Sequence, residues 1–136
     1  MKKTFFYISE MSLPSKTASP IQILKMCDAF SSINYSVSLF TFKNKLSSKT
    51  LKKNYNIKKK INIISYKKNK VEINFLYRIL FAIFVVKYLR KEKNLVIYGR
   101  SLLTSIFLSF LKIQNFIEIH QEPKGFTSIL LSLKKL

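Results

Sequence analysis

The most informative stretch of this chain is P-S-K-T-A-S-P-I-Q-I-L-K-M-C-D-A-F, residues 14–30. An apolar run at residues 5–8 precedes it, and a second apolar run at residues 37–42 follows it. This order predicts a strand, a loop, a helix and a second strand. The pattern S-x-x-Q that starts at Ser19 favours a capping box, with Ser19 as the N-cap of the helix and Pro20 as its first residue.

The same alternation of strands and helices continues along the rest of the sequence. We predict strands at residues 4–9, 36–42, 61–66, 94–98 and 116–120, and helices at residues 19–33, 74–91, 101–112 and from 127 onward. The basic segment 43–60 is predicted to be a loop with a short helix. Strands that alternate with helices favour a Rossmann-like α/β fold, in which a parallel sheet carries helices on both faces.

Length and cysteine content bound the organisation of the domain. The 136 residues suffice for one domain with a hydrophobic core, so we expect a single domain over residues 1–136. The final apolar helical pattern lacks a closing strand, which favours an incomplete domain. The single cysteine, Cys27, excludes an intrachain disulfide and is expected to be a buried apolar side chain. A reducing, cytoplasmic location follows from this cysteine usage.

The chain is strongly basic, with 25 lysines and arginines against 6 acidic residues and a net charge of +19. Such a field attracts phosphates, nucleic acid and anionic lipid, although the abundance of lysine is also typical of proteins from AT-rich genomes. Six lysines flank the third predicted strand: Lys58, Lys59, Lys60, Lys67, Lys68 and Lys70. These lysines are either simply solvated, or they attract the domain to an anionic membrane surface.

Several classes of partner are disfavoured by missing motifs. The chain has two glycines and no G-x-G-x-x-G, so a nicotinamide or flavin cofactor is not expected. No recognised nucleic-acid motif is present, so we expect no nucleic-acid partner. The longest apolar run is too short to span a bilayer, which leaves a peripheral association with the inner face of the membrane as the expected form of membrane contact.

Three segments, in order, resemble the family four glycosyltransferases, which are retaining enzymes with the GT-B fold. The first segment is the stretch at 14–30 together with N-Y-S-V-S-L at 34–39. The second is V-I-Y-G-R-S-L-L at 96–103, and the third is F-I-E-I-H-Q-E-P at 116–123. The resemblance implies that this chain is the N-terminal, acceptor-side domain of such an enzyme. The C-terminal, donor-binding domain would be absent from it, through either a truncated gene or a split gene with a separate partner, so the chain alone would be inactive.

The resemblance also implies a reaction. A sugar would pass from a nucleotide-sugar donor to a polysaccharide or lipid-linked acceptor, with retention of the anomeric configuration. The nucleotide-sugar is a substrate here, and neither a metal nor an organic cofactor is expected in this domain.

Candidate site residues follow from the rule that open α/β sheets bind ligands at the carboxyl ends of their strands. His120 ends the fifth predicted strand, where it is either a structural histidine or, as the resemblance implies, a catalytic residue that hydrogen-bonds the sugar. Glu118 points to the same side of the strand as His120. It is either a structural partner for a basic residue or a backbone amide, or a substrate ligand. Arg100, after the fourth strand, is either a surface residue or a ligand for phosphate or carboxylate.

Loop residues complete the predicted site. Ser15, Lys16, Thr17 and Ser19 are expected to form the floor of the cleft through their backbone amides and side chains. Glu122 lies in the loop after the fifth strand and is available to a substrate.

A second class of function competes with the enzymatic one. The chain could be a non-enzymatic basic module that binds anionic membrane or nucleic acid. Binding of that kind weakens steeply with salt, whereas binding in the cleft would depend on His120 and Arg100.

Overall fold

The computed structural model describes residues 3–67, 74–120, 122 and 124–134. Two of the lysines beside the third predicted strand, Lys68 and Lys70, lie outside the described residues. So does the end of the last predicted helix, at residues 135 and 136.

Strands and helices alternate along the described chain, as the sequence predicts. The strands are β1 (Thr4–Ile8), β2 (Ser12–Leu13), β3 (Ser36–Asn44), β4 (Asn62–Lys67), β5 (Leu95–Gly99) and β6 (Phe116–Ile117). The helices are α1 (Ala18–Ser32), α2 (Ser48–Tyr55), α3 (Phe75–Leu89), α4 (Leu102–Phe110) and α5 (Phe126–Lys134). The short helix expected within 43–60 is α2.

Every strand pair in the sheet is parallel. Phe40 pairs with Ile8 and with Ile64, so β1 and β4 lie on opposite sides of β3. The short β2 continues on the β1 side, and the sheet order is therefore β4–β3–β1–β5–β6. Counted along the chain without β2, this is the order 3-2-1-4-5 of a Rossmann fold. The predicted fold class is confirmed, including the adjacency of β1, β5 and β6.

Alternate side chains of β1 belong to two separate cores, one on each face of the sheet. Phe5 and Tyr7 pack with buried side chains of α1 and α2, including Cys27, which is 0% exposed. Phe6 and Ile8 pack with buried side chains of α3 and α4. The two-residue period of a strand thus sends one apolar run to both layers of helices.

The predicted capping box at the start of α1 was wrong. The N-cap is Thr17, and its side chain makes no capping hydrogen bond. Ser19 and Gln22 instead accept hydrogen bonds from the side chain of Arg100, at 2.8 and 3.0 Å. Pro20 is the third helical residue, where its missing N–H costs nothing because the first turn has no intrahelical acceptor.

The predicted fifth strand is also shorter than expected, because β6 ends at Ile117 and not at His120. The N–H of Glu118 still donates to the carbonyl of Gly99 at 2.9 Å. However, β5 ends at Gly99, and the N–H of the next residue, Arg100, donates to the carbonyl of Ile8 in β1. Residues 118–120 therefore leave the sheet for lack of a strand to pair with.

Gly99 allows β1 and β5 to approach each other where β5 ends. A Cβ atom on Gly99 would lie 2.4 Å from the backbone oxygen of Ile8. Backbone atoms cannot move aside as a flexible side chain can, so a side chain at this position would force the two strands apart.

We expect Gly99→Ala to lower the free energy of unfolding by about 2–3 kcal/mol, because the added methyl group overpacks the junction of β1 and β5. Urea titration followed by circular dichroism measures the change. Gly125→Ala is the control, since a Cβ there meets no atom within 4 Å and only its positive φ costs stability, about 1 kcal/mol. A Gly99→Ala protein as stable as the unmutated chain would contradict the close approach.

Candidate functional site

The crevice that the fold offers a ligand lies outside the carboxyl ends of β1 and β5. The chain leaves β1 towards α1 on one face of the sheet and leaves β5 towards α4 on the other. Such a point, where neighbouring strands connect in opposite directions, is where open α/β sheets bind ligands. The residues that follow these two strands are therefore the candidates for ligand contact.

Arg100, the first residue after β5, connects three elements that are far apart in the sequence. Its Nε and Nη2 atoms donate to the two carboxylate oxygens of Glu118, at 2.9 and 2.8 Å. Its Nη1 and Nη2 atoms donate to Ser19 and Gln22 of α1. Four of the five guanidinium donors are thus engaged. Arg100 would have to release one of these partners to hold a phosphate bidentately.

Glu118 contacts three side chains at the end of β6. It accepts hydrogen bonds from Arg100 and from the hydroxyl of Tyr7 at 3.2 Å, and its Oε1 atom lies 2.6 Å from Nε2 of His120. The side chain of Glu118 is 20% exposed and that of Arg100 is 12% exposed, so water screens their ion pair only in part. The hydrogen bonds between Arg100 and Glu118 lower the pKa of Glu118 below its ordinary value. The same bonds raise the pKa of Arg100.

The side chain of His120 is more accessible than those of Arg100 and Glu118, with 54% of it exposed. Its Nε2 atom is held by the Glu118 carboxylate, so Nδ1 is the ring nitrogen that remains for a ligand. In the neutral ring Nδ1 accepts a hydrogen bond, and in the protonated ring it donates one. We call Ser19, Gln22, Arg100, Glu118 and His120 the Arg100 cluster.

Tyr7 supports the Arg100 cluster from inside the sheet. The residue is 0% exposed, and its hydroxyl meets Glu118 at the edge of the core. Burial raises the pKa of Tyr7 above its ordinary value. The hydroxyl therefore keeps its proton at neutral pH and stays a hydrogen-bond donor to the carboxylate.

A second acid–arginine pair, which the sequence analysis missed, stands after β1. Glu10 accepts from Nε of Arg78 at 2.6 Å and from the hydroxyl of Ser101 at 2.8 Å. Ser101 is the N-cap of α4 and also accepts from the N–H of Thr104. Glu10 follows an apolar strand directly, and this position at the carboxyl edge of the sheet is the signal that could have found it.

Ser15, Lys16 and Thr17 of the predicted loop form a separate group. The backbone N–H and carbonyl of Ser15 both bond the hydroxyl of Tyr55, at 2.8 and 2.7 Å. The hydroxyl of Ser15 lies 3.0 Å from that of Thr17. Ser15 and Lys16 line a cavity of about 680 Å³ between α1 and α2.

The structure thus divides the predicted site residues into two sets. Ser19, Arg100, Glu118 and His120 meet in the Arg100 cluster, which borders a smaller hollow of about 220 Å³. Ser15 and Lys16 instead line the cavity between α1 and α2, and Thr17 belongs to the same loop as these two residues. Glu122 is exposed and takes part in none of the hydrogen bonds found among the described residues. Within these same residues, no group of three metal-binding side chains occurs.

Comparisons of the chain with protein-family models, with curated proteins and with solved structures give no significant match. The assignment of a function to the site therefore rests on its residues and on the resemblance of three segments described above.

We expect the stability of the protein to fall in acid through Glu118. Because its pKa is lower in the folded chain than in the unfolded chain, the carboxylate stabilises the fold at neutral pH. That stabilisation is lost as the pH falls below about 5 and through the folded pKa. Glu118→Gln should lower the free energy of unfolding at pH 7 by on the order of 1 kcal/mol and flatten its decline in acid.

Urea titrations between pH 7 and pH 3 measure this dependence in both proteins. Glu92→Gln, an exposed acid outside the cluster, serves as the matched control and should keep the full acid dependence. Parallel curves for the unmutated chain and Glu118→Gln would show that the pair with Arg100 contributes nothing.

Proposed function

We propose that this chain is the acceptor-side domain of a retaining glycosyltransferase. In this proposal a sugar passes from a nucleotide-sugar donor to a polysaccharide or lipid-linked acceptor. A donor-binding domain on another segment or chain completes the enzyme, and this domain alone does not catalyse transfer.

One observation supports this assignment most: the three resembling segments come together at the switch point of the sheet. Ser19 belongs to the first segment, Arg100 to the second, and Glu118 and His120 to the third. All four side chains are joined by the Arg100 hydrogen bonds and the contact between Glu118 and His120. Residues of all three segments thus lie at the edge where open α/β sheets bind ligands.

Within the proposal each residue of the Arg100 cluster has a distinct role. Arg100 fixes the start of α1 against the ends of β5 and β6, and it orients Glu118. Glu118 in turn orients His120 and balances charge that develops on its ring. His120 hydrogen-bonds the transferring sugar through Nδ1, in a site where such a contact strengthens as charge develops in the transition state.

We also propose that the domain works at the cytoplasmic face of an anionic membrane. None of the described helices combines the length and apolar character that crossing a bilayer requires. However, one face of α3 exposes the apolar side chains of Leu76, Leu80 and Ile83. Two exposed lysines, Lys87 and Lys91, come next along the chain. An apolar stripe beside basic residues suits the surface of an anionic membrane, where lipid-linked acceptors reside.

The test of the enzymatic role is a hybrid in which this chain is joined to the donor-binding domain of a family four glycosyltransferase. We expect His120→Ala to lower the rate of sugar transfer by about a hundred- to a thousandfold, because one transition-state hydrogen bond is lost. Its free energy of unfolding should change by no more than about 1 kcal/mol, since the side chain is largely exposed. Turnover and thermal unfolding are measured on the same preparations.

Glu92→Gln is the matched control and should transfer sugar at the unmutated rate. A folded hybrid without transfer activity, or one in which His120→Ala works normally, contradicts the proposed role. The rival function, a basic module without catalysis, predicts vesicle binding that falls steeply with salt. That binding would be equal in the unmutated chain and in His120→Ala.

A further inference from the structure

A cavity lies between the start of α1 and the end of α2. Its volume of about 680 Å³ is in the range of small-molecule sites. The lining residues come from the loop before α1, from α1 itself and from the end of α2: Pro14, Ser15, Lys16, Ile21, Lys25, Asn54, Tyr55 and Asn56.

Hydrogen bonds across the cavity hold its walls in place. The Tyr55 hydroxyl accepts from the N–H of Ser15 and donates to its carbonyl, which fixes the loop to α2. The ammonium group of Lys25 donates to the carbonyl of Asn56 at 2.9 Å, which joins α1 to the end of α2. The cavity is therefore preformed, and a ligand would not have to order its walls.

The chemistry of the lining is apolar with a basic edge. Pro14, Ile21 and Tyr55 provide the apolar surface, and Ile21 is 38% exposed although it is a large aliphatic side chain. Lys16 and Lys25 are exposed and basic, and none of the lining residues is acidic. An ammonium group has three N–H donors, so the bond to Asn56 leaves two on Lys25.

We propose that this cavity binds an anionic amphiphile, an apolar chain that ends in a phosphate group. The chain packs on Ile21 and Pro14, and the phosphate is held by Lys16 and Lys25, whose charges suit it as point-charge partners. The assignment rests on the proposed function, since the phosphate-bearing end of a lipid-linked acceptor has this chemistry. The cavity would then set which acceptors the domain accepts, while the Arg100 cluster faces the sugar.

The test uses dodecyl phosphate below its critical micelle concentration, titrated into the full chain by calorimetry. Dodecanol supplies the apolar chain without the charge, and inorganic phosphate supplies the charge without the chain. We expect saturable 1:1 binding of dodecyl phosphate that is at least about tenfold tighter than that of either half, or about 1.4 kcal/mol.

Substitutions locate the binding. Lys16→Gln with Lys25→Gln, and Ile21→Ser in a separate variant, should each weaken binding of dodecyl phosphate at least about fivefold, or about 1 kcal/mol. The matched controls lie on α3 or just after its end: Lys87→Gln with Lys91→Gln and, for the apolar contact, Leu80→Ser. These controls should leave the affinity unchanged, and circular dichroism confirms that each variant is folded.

Three results would overturn the inference: no saturable binding, equal affinity for dodecyl phosphate and inorganic phosphate, or equal losses in the cavity and α3 variants. The last result would assign the interaction to the general basic surface or to the membrane-facing stripe of α3. Because the titration needs neither donor nor transfer, it stays independent of the hybrid assay. Binding without transfer would leave the cavity in place and contradict only the glycosyltransferase assignment.

Discussion

The ion pair between Arg100 and Glu118 is the interaction on which the rest of the site depends. Arg100 bonds Glu118 across 18 residues of sequence and α1 across 78 and 81 residues. One side chain thereby joins the start of α1 to the ends of β5 and β6. In a chain with a net charge of +19, the Glu118 carboxylate also compensates the charge of Arg100.

This pair can form because the backbone brings its partners close together. Gly99 lets β5 approach β1, and the N–H groups of Arg100 and Glu118 then bond the carbonyls of Ile8 and Gly99. The carboxyl ends of three parallel strands thus lie side by side. The alternating side chains of β1 stabilise that arrangement by filling the cores on both faces of the sheet. Packing places the strands, and the partly buried polar contacts at their ends define the site.

The fold could be predicted from the sequence because its signals are local: apolar strands, helical periodicity and short connections. Contacts between distant residues could not be predicted in this way. Ser19 and Gln22 have the spacing of a capping box, yet Arg100, 81 and 78 residues away, binds both side chains. Local spacing could not reveal that competition. The contact between Glu10 and Arg78 also joins distant residues, and local spacing could not reveal it either. The strand β6 is shorter than the predicted strand at 116–120 because its neighbour β5 ends at Gly99.

A double-mutant cycle on Arg100 and Glu118 tests the central claim most directly. Arg100→Met and Glu118→Gln remove the charges while keeping much of each side chain's volume, and the free energies of unfolding of the four proteins are compared at pH 7. A partly buried pair that organises three elements should give a coupling energy above about 1 kcal/mol. A coupling energy below about 0.5 kcal/mol, as in an ordinary surface salt bridge, would contradict the claim that this pair holds the site together.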